Sequence, residues 1–270
     1  MSTSTYTNDE KSVNLSPLEH KVYFRLYEGE VFRTGDAYKI IANRKTARQI
    51  LSRLKKKGYV KQIRRGLFAV VPAQMIGRDF AADKILIASQ LAKTYFISHH
   101  TALELHGAAQ SYLNIVYLSS GKASKSFEFQ SILYKFVTAK RMFGIKQVLR
   151  GSQKINVSDN ERTILDCIRN MEYGGGLEEI VKSISAYPNL NYTKLMNYLN
   201  LFGEKSMFHR TGFIFDELKN ELNVPESFLA ALEKGLGKRV YYLVPKEKGV
   251  YIGKWKLIVP KNAKEMMKIA

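Results

Sequence analysis

The chain has 270 residues, 45% of them hydrophobic and 11% aromatic, with 43 Lys and Arg against 24 acids and a formal net charge of +19. That is apolar material for one large or two ordinary cores, which excludes a disordered chain, and no apolar run reaches the roughly 18 residues of a membrane span. A single cysteine, Cys167, excludes an internal disulfide framework, and the polar start lacks a signal-peptide pattern, so a cytoplasmic protein with a polyanionic partner is expected.

The charge is uneven. Residues 33–65 hold twelve Lys or Arg against one acid, Asp36, whereas residues 73–270 hold 28 basic and 18 acidic residues. We read 1–14 as a flexible N-terminus, 15–73 as a DNA-binding domain and 74–270 as a larger mixed α+β domain.

Ser16-Pro17-Leu18-Glu19 is a helix start, with Ser16 as the cap, Pro17 in the first turn and Glu19 completing a capping box. Val22 and Leu26 give an apolar face up to Tyr27, and Gly29 ends the helix. Thr34 caps a short second helix through residue 42, with Ala37, Ile40 and Ile41 inward; Asn43 and Arg44 make the turn. A third helix is expected over 45–57. Its Ala47, Ile50, Leu51 and Leu54 recur at i, i+3, i+4 and i+7, a single buried stripe. Lys45, Gln49, Ser52 and Lys56 fall on the opposite face, flanked by Thr46, Arg48 and Arg53. Such side chains donate to guanine edges, pair with adenine edges or bind phosphates. Gly58 supplies a left-handed stop.

A hairpin follows over 59–71, turning at Arg64-Arg65-Gly66 and stopped by Pro72. Helix, helix, basic helix and hairpin in this order predict a winged helix-turn-helix. The expected major-groove residues are Lys45, Thr46, Arg48, Gln49 and Arg53, and those for the backbone or minor groove are Arg33, Lys55, Lys56, Lys57, Lys61, Arg64 and Arg65. The alternative is that these charges only solvate a surface.

In the second domain a helix is expected over 78–93, with Ala81, Ile85, Ala88 and Leu91 inward, then a short strand over 95–97. Ser98 and Gly107 bracket a short helix. Segments 115–119, 127–140 and 154–157 are strand-like, and Ser158 to Glu161 form a second capping box for a helix burying Ile164, Leu165, Ile168 and Met171. Leu177, Ile180, Val181 and Ile184 repeat the pattern after Gly174-Gly175-Gly176. Helices over 192–202, 206–218 and 227–234 and a terminal strand pair, 239–244 and 250–259, complete the domain.

His99, His100 and His106 lack the converging partners of a zinc site, and the triple glycine lacks the Gly-Lys-Ser/Thr of a phosphate loop. Arg162 and Asp166 are an i, i+4 pair, and Cys167 has no evident basic partner. Neither a catalytic site nor a metal or cofactor is expected.

The strings Ser98-His99-His100-Thr101-Ala102-Leu103-Glu104-Leu105-His106-Gly107, Phe143-Gly144 and Val157-Ser158-Asp159-Asn160-Glu161-Arg162-Thr163-Ile164-Leu165-Asp166 follow the winged helix in this order. Gly174 to Glu179, 195–199 and Arg210-Thr211-Gly212-Phe213 continue them. Over about residues 15–215 the chain resembles the AbiEi antitoxins of type IV, abortive-infection toxin–antitoxin systems. The resemblance implies an antitoxin that represses its own operon at promoter inverted repeats and antagonises a nucleotidyltransferase-like toxin in phage defence. It leaves direct toxin binding open. It marks Ser98, His99, Thr101, His106, Glu161, Arg162, Asp166 and Arg210 as a motif surface of the C-terminal domain. Two rivals are a regulator answering a small ligand without a toxin partner, and a DNA-tethered nuclease or phosphotransferase using Glu161, Asp166 and a histidine.

Overall fold

Pro17, placed where no N–H donor is needed, opens helix α1 (Pro17–Tyr27), and the expected box forms: Ser16 N–H donates to Glu19 Oε2 at 2.8 Å. The computed structural model describes residues 15–27, 30–187, 189–245 and 247–268; the segment 1–14 and the stop at Gly29 lie outside the described residues. Strand β1 (Val31–Arg33) was not foreseen, because three residues are too few to show a period. Helix α2 (Thr34–Ile40) takes Thr34 as its first residue rather than its cap; Arg33 holds the cap position and its N–H donates to Asp36 Oδ2 at 2.9 Å. In α3 (Arg44–Lys56) Arg44 is already helical, and Asn43 is the cap. Ala47, Ile50, Leu51 and Leu54 are its buried residues, as the spacing predicts.

Strands β2 (Val60–Arg64) and β3 (Leu67–Val70) form the hairpin, with Gly66 at a φ of 78° that suits glycine. The sheet order is β1-β3-β2, antiparallel throughout. Phe32 and Phe68 face each other across β1 and β3, their rings stacked 5.5 Å apart. They join Val22, Tyr23, Leu26, Leu51, Leu54 and Val60 in one core.

The chain divides into two compact units, Met1–Gln90 and Leu91–Ala270, so residues 74–90 count with the first unit rather than the second. The helix expected over 78–93 shrinks to α4 (Lys84–Ser89). Asp83 fixes its start by accepting from Ile85 and Leu86 N–H at 2.7 and 3.0 Å, and Ala81 is exposed.

The second unit is mixed α+β. Strand β4 (Phe96–Ile97) leads into α5 (His99–His106), which ends at Gly107 with φ 70°. Then come β5 (Ile115–Ser120), β6 (Phe127–Phe129) and β7 (Ile132–Thr138). The single strand expected over 127–140 is two, because Gln130 and Ser131 adopt φ of 50° and 59° and turn the chain back. Strand β8 (Ile145–Arg150), also unforeseen, pairs with β9 (Gln153–Ser158). The six strands lie in the order β6-β7-β5-β4-β9-β8; β5 with β7 and β4 with β9 are parallel.

Helix α6 (Asn160–Arg169) is buried on every side from Glu161 to Ile168. Its cap is Asp159, which accepts from Arg162 N–H at 2.9 Å; Ser158 instead bonds Thr163 Oγ1 at 2.7 Å, so the expected Ser158–Glu161 box is absent. Against α6 pack α7 (Leu177–Ser185), α8 (Tyr192–Phe202) and α9 (Lys205–Glu217); α10 (Lys219–Leu222) packs on α9, and α11 (Glu226–Gly235) on α8 and α9. The terminal pair is three strands: β10 (Tyr241–Tyr242) runs parallel to β12 (Leu257–Val259), which pairs antiparallel with β11 (Val250–Ile252). Helix α12 (Ala263–Met266) follows. Trp255 lies against Gly212 of α9 so closely that a Cβ there would sit 2.0 Å from its ring.

Candidate nucleic-acid interface

Asn43 Oδ1 accepts from Lys45 and Thr46 N–H, both at 3.0 Å, and so fixes where α3 begins. With its back buried, the helix presents Lys45, Arg48, Gln49, Ser52, Arg53 and Lys56 exposed, with Thr46 half-buried. Arg48 is held in place: its Nε donates to Tyr38 Oη at 2.8 Å, and Arg44 and Arg48 lie 5.7 and 5.9 Å from the Tyr38 ring centroid. Tyr38 was missed in the sequence; the available signal was an aromatic on α2 beside a basic helix. Lys55 Nζ donates to Gln62 Oε1 at 2.9 Å, tying α3 to β2. A cleft of about 440 Å³ opens between α3 and the hairpin, lined by Arg48, Ser52, Lys55, Gln62 and Arg65.

Of the expected backbone contacts, Arg33, Lys55, Lys56, Lys61 and Arg65 are exposed. Lys57 is not available in the same way, since its ammonium closes on the buried Glu19 carboxylate at 2.7 Å. Burial would raise the Glu19 pKa, but the Lys57 and Ser16 hydrogen bonds outweigh it and hold the carboxyl below its ordinary value. The Arg33 guanidinium donates to the Gln90 carbonyl. Arg64 is half-buried, and burial together with the Arg33 charge lowers its pKa.

The expected motif surface of the second unit is not a surface. Ser98, His99, Thr101, Glu161, Arg162 and Asp166 are all buried, and His106 and Arg210 are intermediate. Each of these side chains makes a polar contact inside, although Arg162 Nη1 has no hydrogen-bond partner. Ser98 makes no cap bond; its Oγ lies 2.8 Å from Ser119 Oγ and 2.9 Å from His99 Nδ1. Burial lowers the His99 pKa to about 4, and the residue sits at φ 53°. Thr101 Oγ1 accepts from Tyr117 N–H at 2.9 Å. His106 Nε2 lies 2.8 Å from the Ser158 carbonyl, and burial lowers its pKa too.

Glu161 accepts from Asn191 N–H at 3.1 Å and Lys194 Nζ at 2.8 Å, which overcome burial and keep its pKa low. Arg162 Nε donates to Asp166 at 2.9 Å, and its guanidinium lies 4.1, 4.4 and 5.3 Å from the Phe143, Phe202 and Phe96 rings. Arg210 donates to the Tyr242 and Arg169 carbonyls at 2.9 and 3.1 Å. Burial pushes the Cys167 thiol well up, away from a reactive thiolate at neutral pH. Among the described residues, no three His, Cys, Asp or Glu side chains converge so that they could hold a metal ion. No helix among the described residues is long and apolar enough to cross a membrane.

No family model matches the chain, and no curated protein matches it in sequence. Among solved structures it is similar to the crystal structure of the RV2827C protein from Mycobacterium tuberculosis, with a TM-score of 0.65 and 12% identity over 91% of this chain and 92% of that one. At that identity the likeness is one of fold alone, a mixed α+β chain.

Proposed function

We propose that the first unit is a winged helix-turn-helix domain, that α3 enters the major groove of duplex DNA with the β2–β3 hairpin beside it, and that the protein is a sequence-specific repressor without catalytic activity. The observation that carries this reading is the two-sided α3: an apolar back buried in the core and a front of Lys45, Arg48, Gln49, Ser52, Arg53 and Lys56 left exposed. Arg48, Gln49 and Arg53 suit base edges; Lys56, Lys61 and Arg65 suit phosphates. The AbiEi-like strings in the second unit extend the proposal to an antitoxin that represses its own promoter at inverted repeats and antagonises a nucleotidyltransferase-like toxin. Their burial makes them determinants of that unit's fold, so contact with a toxin would fall on other residues.

The test is binding of the full chain to its own promoter and to scrambled DNA over a salt series. Tight binding to the promoter alone, weakening steeply with salt, is expected. Equal, weak binding to both would overturn the repressor. Gln49→Ala should lose about 1–3 kcal/mol of discrimination at one operator position; uniform weakening on both DNAs would mean that Gln49 reads no base. Suppression of the neighbouring toxin's growth arrest on co-expression tests the antitoxin reading separately.

A further inference from the structure

Tyr38 ties down one edge of Arg48 and leaves the other free. An arginine carries five N–H donors in a planar fork. In Arg48 the Nε–H is taken by Tyr38 Oη at 2.8 Å, which leaves the four donors on Nη1 and Nη2. The Tyr38 ring also lies between two guanidiniums, 5.7 Å from that of Arg44 and 5.9 Å from that of Arg48. Its own place is fixed by α2, which packs on α1 and α3 and buries the neighbouring Ala37 in the core. The cleft beside Arg48 has no carboxylate in its lining, so no acid there competes for the guanidinium.

A guanidinium held by its Nε presents Nη1 and Nη2 end-on, as two parallel donors. In the major groove guanine offers two adjacent acceptors, O6 and N7, to such a pair. Adenine sets a donor beside its acceptor, thymine a methyl, and cytosine a donor. The tether also removes side-chain freedom before DNA arrives, so that ordering is not charged to binding. Exposed lysines such as Lys45 and Lys56 have no such tether and suit the less directional phosphates. We infer that Tyr38 is a positioning residue that aims Arg48 at one guanine of the operator. This rests on the reading of α3 as the groove helix, and it adds the base that the helix selects and the residue outside the helix that makes it do so.

The test titrates the full-length protein, by fluorescence anisotropy at fixed salt, with its promoter, with scrambled DNA and with promoters in which each G·C pair is replaced in turn by A·T. For one pair the replacement, or 7-deazaguanine in place of its guanine, should weaken wild-type binding about 30-fold. Arg48→Ala should erase that penalty, and Arg48→Lys should nearly erase it, because an ammonium lacks the fork. Tyr38→Phe, which keeps the ring and removes only the acceptor, should shrink the same penalty about fivefold while the penalties at other pairs persist. Added to Arg48→Ala, Tyr38→Phe should change nothing further at that pair. A full penalty in Tyr38→Phe, an equal reduction at every pair, or no pair whose penalty depends on Arg48 would each overturn the inference while leaving a promoter-selective protein. Equal binding of promoter and scrambled DNA by the wild type would instead overturn the groove-helix reading on which it rests.

Discussion

Lys56 and Lys57 are neighbours in sequence and are expected to fail in opposite ways when truncated. Lys57 Nζ lies 2.7 Å from Glu19 Oε2, with side-chain exposures of 31% and 2%. Removing it strands a carboxylate in the first unit's interior. A fully buried pair broken in this way costs about 3–5 kcal/mol, and the partial exposure of Lys57 reduces that to roughly 2 kcal/mol. For a unit of this size that is about 10 °C in Tm. Lys56 is exposed, so Lys56→Ala should leave Tm within about 1–2 °C. On random-sequence duplex DNA the order reverses. The slope of log K against log salt should flatten by about 0.9 for Lys56→Ala and stay unchanged for Lys57→Ala. Circular dichroism melts and fluorescence-anisotropy titrations between 50 and 200 mM salt read the two quantities. Glu19→Gln combined with Lys57→Ala should recover much of the lost stability. If Lys57→Ala flattened the slope without lowering Tm, the ion pair would not be what holds Lys57, and its reading as a fold contact would be wrong.

Three further outcomes follow from the second unit. His99, neutral and held to about 4 against an ordinary value near 6.5, contributes stability that is complete above pH 6.5 and lost as pH falls toward 4, about 3 kcal/mol in all; His99→Asn, which tolerates the positive φ, should flatten the pH dependence of urea midpoints between pH 7 and 5, and an unchanged slope would refute the assignment. Gly212→Ala should destabilise by at least about 1–3 kcal/mol, because its Cβ has no room beside Trp255; a wild-type denaturation midpoint would contradict that contact. Arg162→Ala should cost about 3–5 kcal/mol by stranding Asp166, whereas Arg162→Met with Asp166→Leu should recover most of it; equal losses in the single and double variants would show that the pair itself is not at issue.

The basic helix was legible because its burial is periodic: four apolar residues at helical spacing fix one face, and the rest is exposed by default. Helix α7 was legible for the same reason: the apolar spacing picked out Leu177, Ile180, Val181 and Ile184, all buried, while for α8 the pattern gave the range. Strands were harder. β1 is too short to carry a period, β8 exposes Leu149 and buries little, and the turn at Gln130-Ser131 uses neither Gly nor Asn, so no residue type announced the break between β6 and β7. The cap serines misled because their hydroxyls are spent elsewhere: Ser98 on Ser119, across the sheet, and Ser158 on the Ile97 carbonyl of β4 and on Thr163 one turn into α6. Polarity also misled. Charged residues such as Glu161, Arg162 and Asp166 suggest a surface, and only their partners on α8 and the phenylalanine rings allow them to be interior.

Two-residue strand β4 sits at the middle of the six-stranded sheet, between β5 and β9, and Ile97 meets Val157 across 60 positions of chain. On the ribosome, at roughly 5–20 residues per second, the 68 residues from 91 to 158 take about 3 to 14 seconds to appear after the first unit is complete. Through that interval Phe96 and Ile97 have an open side, and the first unit with its cationic helix already exists as a finished object. The nascent chain is thus expected to carry its cationic end before the rest has closed its sheet.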